Sequence, residues 1–143
     1  MEAEVKIEIN MSEPKINKTL VSFKTIIMYS LIQCQVWHWA TLSRGAHIVL
    51  GDYIEDMHEL QDSFVEQFIG RYGNDESDLS FDIDGIINDN VKLENHLVVT
   101  REAIEQEVYN ADEIKKSSNL KNTLDEIIGL IDKTLYLLRF EKV

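Results

Sequence analysis

Proline occurs once in 143 residues, at Pro14, and glycine six times. So few breakers exclude a loop-rich fold and leave long uninterrupted elements, which means helices. The only cysteine is Cys34. It excludes an intramolecular disulfide and a cysteine-based zinc site, and makes a reducing cytoplasm the expected compartment. Bases are scarce as well, 14 Lys and Arg against 26 Asp and Glu, for a formal net charge of −12. That balance excludes a surface that wraps nucleic-acid phosphates or anionic lipid. A spanning helix needs about 20 largely apolar residues. The most apolar stretch, Leu20 to Leu42, carries Lys24, Gln33, Gln35 and His38, so no membrane span is expected. Nor do Met1 to Pro14 carry the apolar core of a secretory signal.

What is present fits one soluble domain. Hydrophobic residues make up 44% and charged residues 28% of the chain, ordinary for a globular protein. A core at this length buries roughly 68% of the unfolded surface without a staple. Residues 1–16 stand apart as a flexible or docking arm, in which Val5, Ile7 and Ile9 alternate with polar residues as in a strand. From residue 17 to 143 the pattern predicts a single four-helix bundle. The first helix runs from about Asn17 to Ser43, capped by Asn17 or Thr19, with Leu20, Phe23, Ile27, Leu31, Val36, Trp37 and Leu42 as apolar positions. The second spans about Ala46 to Tyr72, where Leu50, Tyr53, Ile54, Met57, Leu60, Phe64 and Phe68 follow three- and four-residue steps, and Gly73 ends it. The third spans about Asn90 to Lys116 and the fourth about Leu120 to Phe140. Between the second and third lies an acidic stretch with no Lys or Arg over residues 73–90. It reads as a solvated crossover with a short helix near Phe81 to Ile87. Its Asp82-Ile83-Asp84-Gly85 lacks the further ligands of a calcium loop. Two tight links separated by one long crossover are the connection pattern of ferritin-like antiparallel bundles.

Candidate chemistry gathers at the junction of the first two helices. His38 lies near the end of one and His47 at the start of the next, while Asp62 and Glu66, four apart, share a face further along. Imidazoles and carboxylates with positions open to water or oxygen suit non-haem iron. Glu55-Asp56-Met57-His58 is a single Glu-x-x-His step, of which an intrachain di-iron bundle needs two. His58 therefore stands as a reserve ligand. His96 has no evident partner and reads as a core or surface residue.

The stretch His38-Trp39, Arg44-Gly45-Ala46-His47, Tyr53, Asp62 and Glu66 resembles the ferroxidase signature of the Dps-like miniferritins, over about residues 20–73. In both, an Asp follows the second histidine by fifteen residues and a Glu follows that Asp by four. The resemblance implies a ferritin-like bundle that forms dimers and, from them, a hollow dodecameric shell. It implies an iron site shared between subunits, with His38 and His47 from one chain and Asp62 and Glu66 from its partner. Ferrous iron would be oxidised there by hydrogen peroxide or oxygen and stored as ferric mineral, with Trp37 or Trp39 quenching radicals. The chain departs from the pattern in the spacing of its two histidines, nine apart and about three closer than the family's, and in lacking the phenylalanine usual in the loop between them. The basic DNA-binding tail is also missing, so no direct nucleic-acid contact is expected. The alternative is a catalytically inactive ferritin-like structural or interaction module.

Overall fold

The computed structural model describes residues 17–73 and 92–141. The expected arm and its strand signal, the short helix near Phe81 to Ile87 and the Asp82–Gly85 motif lie outside the described residues. Those described are helical, with no strand among them: α1 (Lys18–Ala40), α2 (Arg44–Tyr72), α3 (Leu93–Ala103), α4 (Asp112–Lys115) and α5 (Ser118–Leu138). A π-helical stretch, Ile104–Tyr109, joins α3 to the turn before α4. No described helix is long and apolar enough to cross a membrane.

Local chemistry sets the ends. The Asn17 side chain accepts the Leu20 amide at 3.1 Å, so Asn17 is the cap of α1. Ser43 caps α2 by accepting from the Ala46 amide at 3.1 Å, and its hydroxyl donates to Glu141. That carboxylate sits at the positive end of the α2 dipole. Gly73 closes α2 with φ 86° and donates its amide to Ile69, a backbone conformation that favours glycine.

Contacts along the helices fix both neighbours and directions. Phe23 meets Phe64, Ser30 meets Tyr53 and His38 meets His47, so α1 and α2 run antiparallel. Gln67 bonds Thr123 near the start of α5, while Ser43 bonds Glu141 just beyond its end, so α2 and α5 are antiparallel as well. Trp37, late in α1, touches His96, early in α3. Arg101 pairs with Asp132 and Tyr109 with Asp125, which runs α3 against α5. Each long helix thus has two antiparallel neighbours, and the end of α2 and the start of α3 lie at opposite ends of the bundle.

Between them the helices bury Leu20, Phe23, Ile27, Leu50, Tyr53, Met57, Phe64, Phe68, Leu97, Ile104, Leu124 and Ile131. Phe23 and Phe64 anchor this core with ring centroids 3.9 Å apart. Full burial of side chains of this size contributes about 1.5–3 kcal/mol each.

One expectation changes. The third helix is not continuous to Lys116: it widens at Ile104 and breaks at Asn110–Ala111 before α4. In the π stretch the i→i+5 bonding enlarges the turn, and Ile104 and Val108, four apart, are both fully buried against the core. Of the apolar positions named for the first helix, Val36 and Leu42 are exposed, Leu42 entirely so. α1 is apolar on most sides, so its sequence offers no contrast between inner and outer faces.

Candidate functional site

His38 and His47 are brought together across the α1–α2 corner. Their rings stack with centroids 3.8 Å apart and planes 14° from parallel. His38 Nδ1 lies 2.7 Å from the His47 carbonyl, and His47 Nδ1 lies 2.6 Å from the His38 carbonyl. A carbonyl only accepts, so each Nδ1 carries the proton and donates. In the neutral ring this leaves the lone pair on Nε2, the tautomer that a carbonyl partner behind the ring imposes on metal-binding histidines. The exchange also serves the fold. The His38 carbonyl belongs to the last turn of α1, where helix carbonyls lack partners, and His47 supplies one. Gly51 completes the corner. A Cβ there would stand 3.1 Å from His38 Cε1, so the ring lies against bare backbone.

Asp62 and Glu66 are exposed on α2. Fifteen residues separate His47 from Asp62, about 22 Å of helix at 1.5 Å per residue. One chain therefore holds the two histidines together and the two acids together, but not the four in one place. Among the described residues no group of three or more His, Cys, Asp or Glu could hold a metal ion. His58 is exposed on the same helix and lines a groove of about 340 Å³ between α1 and α2, with Ile32, Val36, Trp39 and Ile54. The α1 side of this groove is exposed apolar surface, with Trp39 72% exposed. Trp37 instead packs inward against the core.

His96 is where the sequence reading falls short. It is buried, with its Nε2 3.3 Å from Ser30 Oγ, and its ring stands edge-on to Tyr29 and Trp37 at 5.2 Å from each. Ser30 Oγ in turn lies 2.8 Å from the Tyr53 hydroxyl and bonds the Cys34 thiol. Burial pushes the His96 imidazole down to about 4 and the Cys34 thiol up to about 12. The Tyr53 phenol is raised for the same reason, with the Cys34 thiol adding to it. All four are therefore neutral at pH 7. A usable signal existed in Ser30, a hydroxyl between Ile27, Leu31 and Cys34 on the buried side of α1. Another was His96 set among Leu93, Leu97 and Thr100 on the inner face of α3.

The matching family profile covers residues 38–138 and is described as a family of unknown function, DUF5856. The chain belongs to this DUF5856 family. The match opens at His38 and takes in His47, Asp62, Glu66 and His96. No curated protein and no solved structure matches the chain.

Proposed function

We propose that this DUF5856 chain is a ferritin-like, Dps-like subunit that binds and oxidises ferrous iron at sites shared between two copies. His38 and His47 come from one copy, and Asp62 and Glu66 from the other. One observation carries the reading. On α2 the apolar groove is centred on Ile54 and His58, midway along the helix between His47 and the Asp62–Glu66 pair. A second copy seated on this groove about a two-fold axis brings its acids to the level of the first copy's histidines, twice over. The groove also suits a second copy electrically. Its α1 wall carries no acid in a chain of net charge −12, so like charges do not meet there. The antiparallel neighbour order and the opposed ends of α2 and α3 support the reading as a ferritin-like bundle with a long crossover between the second and third helices.

The donor set fits iron as substrate. Two imidazole nitrogens and two carboxylates leave positions open to water or oxidant, and carboxylate charge favours the ferric product. Two ferrous ions each give one electron to hydrogen peroxide. Its O–O bond breaks, and two protons complete two waters. The acidic surface collects the cation, and dimers are the building block from which a shell would form.

The test is oxidation of added ferrous iron, aerobic and with peroxide, followed by ferric absorbance. The native protein should oxidise iron well above buffer, and both His38→Ala/His47→Ala and Asp62→Ala/Glu66→Ala should fall to buffer rates. Mixing the two dead variants and reassembling them should restore about one quarter of the sites, because each mixed dimer regains one complete set. Equal rates in native and variant proteins would remove the chemistry.

A specific observation favours a second reading, an inactive interaction module. Stacking, reciprocal carbonyl bonds and the fit over Gly51 already give His38 and His47 a structural purpose. A protein that dimerises through the groove yet leaves iron oxidation at the buffer rate would fit that reading.

A further inference from the structure

The Ser30 hydroxyl joins three buried side chains from its place on α1. A serine oxygen donates once and accepts twice. Its three partners are the Tyr53 hydroxyl, the Cys34 thiol and His96 Nε2. Tyr53 is buried and Ser30 is its only hydrogen-bond partner among the described residues, so its O–H must donate to Ser30 or be left unmade in the core. With the His96 ring in the tautomer that carries its proton on Nδ1, the serine's own proton is given to His96 Nε2. The result is an oriented chain, from Tyr53 O–H to Ser30 Oγ–H to the nitrogen of a neutral imidazole. It crosses three helices, α2, α1 and α3.

We infer that Tyr53 is a redox-active tyrosine, with Ser30 and His96 as the relay that removes and returns its phenolic proton. A phenol is hard to oxidise unless its proton leaves with the electron, and in a dry core the proton needs a built acceptor. In the step proposed, Tyr53 gives one electron to an oxidant of the hydroxyl-radical class, which becomes hydroxide. The phenolic O–H bond breaks, its proton passes to Ser30 Oγ, and the Ser30 proton passes to His96 Nε2. The products are a neutral phenoxyl radical, an imidazolium and hydroxide. A ferrous ion then returns one electron and becomes ferric, and the proton travels back. Trp37, whose ring meets His96, lies between this network and the end of the bundle that holds His38. Tyr53 itself is six residues along α2 from His47, about 9 Å of helix rise. A radical formed at the proposed iron site would therefore be drawn to a single protected phenol. That physiological setting rests on the ferroxidase reading, whereas the relay does not.

The experiment photo-oxidises the full-length protein with a ruthenium tris-bipyridine complex and persulfate, without iron, and reads freeze-quenched electron paramagnetic resonance. A tyrosyl signal is expected in the native protein, and Tyr53→Phe should abolish its long-lived component. Ser30→Ala and His96→Phe should each slow its formation by about a hundredfold, the low end of what a positioned proton acceptor contributes. Circular dichroism checks that each variant is folded. Formation in the native protein should also be slower in deuterated solvent, a readout that needs no variant and that a purely structural network would not show. An identical signal in Tyr53→Phe would overturn the assignment. So would formation rates that neither variant nor deuterium changes. Because iron is absent, failure of the ferroxidase reading leaves this test intact.

Discussion

The molecule holds its histidines in two opposite ways. His38 and His47 sit at the rim, and main-chain carbonyls fix their rings, so their placement depends on the α1–α2 corner alone. His96 sits in the core and is fixed by a side chain, Ser30, on another helix, so its placement depends on the assembled bundle. A carbonyl tether demands the proton on Nδ1 and leaves Nε2 to the outside. A hydroxyl tether can give or take a proton. On the function proposed above, the first arrangement would hold an ion between molecules. The second suits moving a proton within one.

Acid should separate the two most strongly. The His96 imidazole is held at about 4 when folded, while in the unfolded chain it takes a proton near its ordinary 6.5. The unfolded state thus binds more protons between those values, and stability falls as pH drops from about 6.5 to about 4, then levels off. The loss from this one group amounts to roughly 3 kcal/mol. Urea unfolding at successive pH values in native protein and His96→Phe would check it. A slope that survives the substitution would place the acid sensitivity elsewhere.

Next in size is Ser30→Ala, which removes the partner of both Tyr53 and His96. A buried donor left unsatisfied costs about 1–3 kcal/mol, so the loss should exceed that from Tyr53→Phe, where serine keeps its other partners. The reverse order in chemical denaturation would mean the network is not wired through the serine. His38→Ala should cost about 1 kcal/mol, the worth of one carbonyl bond, and should leave the acid slope of the core unchanged. The smallest effect sharpens the rim. Gly51→Ala gains about 1 kcal/mol of helix propensity, offset in the native protein by the new Cβ at 3.1 Å from the His38 ring. The same change made in a His38→Ala background should stabilise by close to the full amount. Equal effects in both backgrounds would show that the ring does not rest on Gly51.

Much of the rim was legible in the chain. Position in a helix, the short link and the residue types sufficed to put His38 and His47 together, because contacts nine residues apart are local. The steps Leu50, Tyr53, Met57, Phe64 and Phe68 likewise gave the buried face of α2, since acids mark its other sides. α1 was harder. With no acid and little polarity contrast it does not announce which face turns outward, and its apolar positions include both the buried Phe23 and Ile27 and the exposed Val36. The break near Ala111 follows from the demand that Ile104, Val108 and Ile114 all reach one core, which depends on the neighbouring helices. The Tyr53, Ser30 and His96 network joins positions 23 and 66 residues apart. Nothing local predicts that three separate polar residues share one oxygen.

The corner between α1 and α2 also bears on time. Only Thr41, Leu42 and Ser43 separate the two helices, and closing a loop of about ten residues takes on the order of 10–100 ns. The Ser30–Tyr53 and Phe23–Phe64 contacts then follow by zipping away from that corner, whereas His96 must be fetched across a much longer loop. Contacts of low sequence separation form early and distant ones late. The hairpin is thus the natural nucleus, and the proton relay is the last thing the chain acquires.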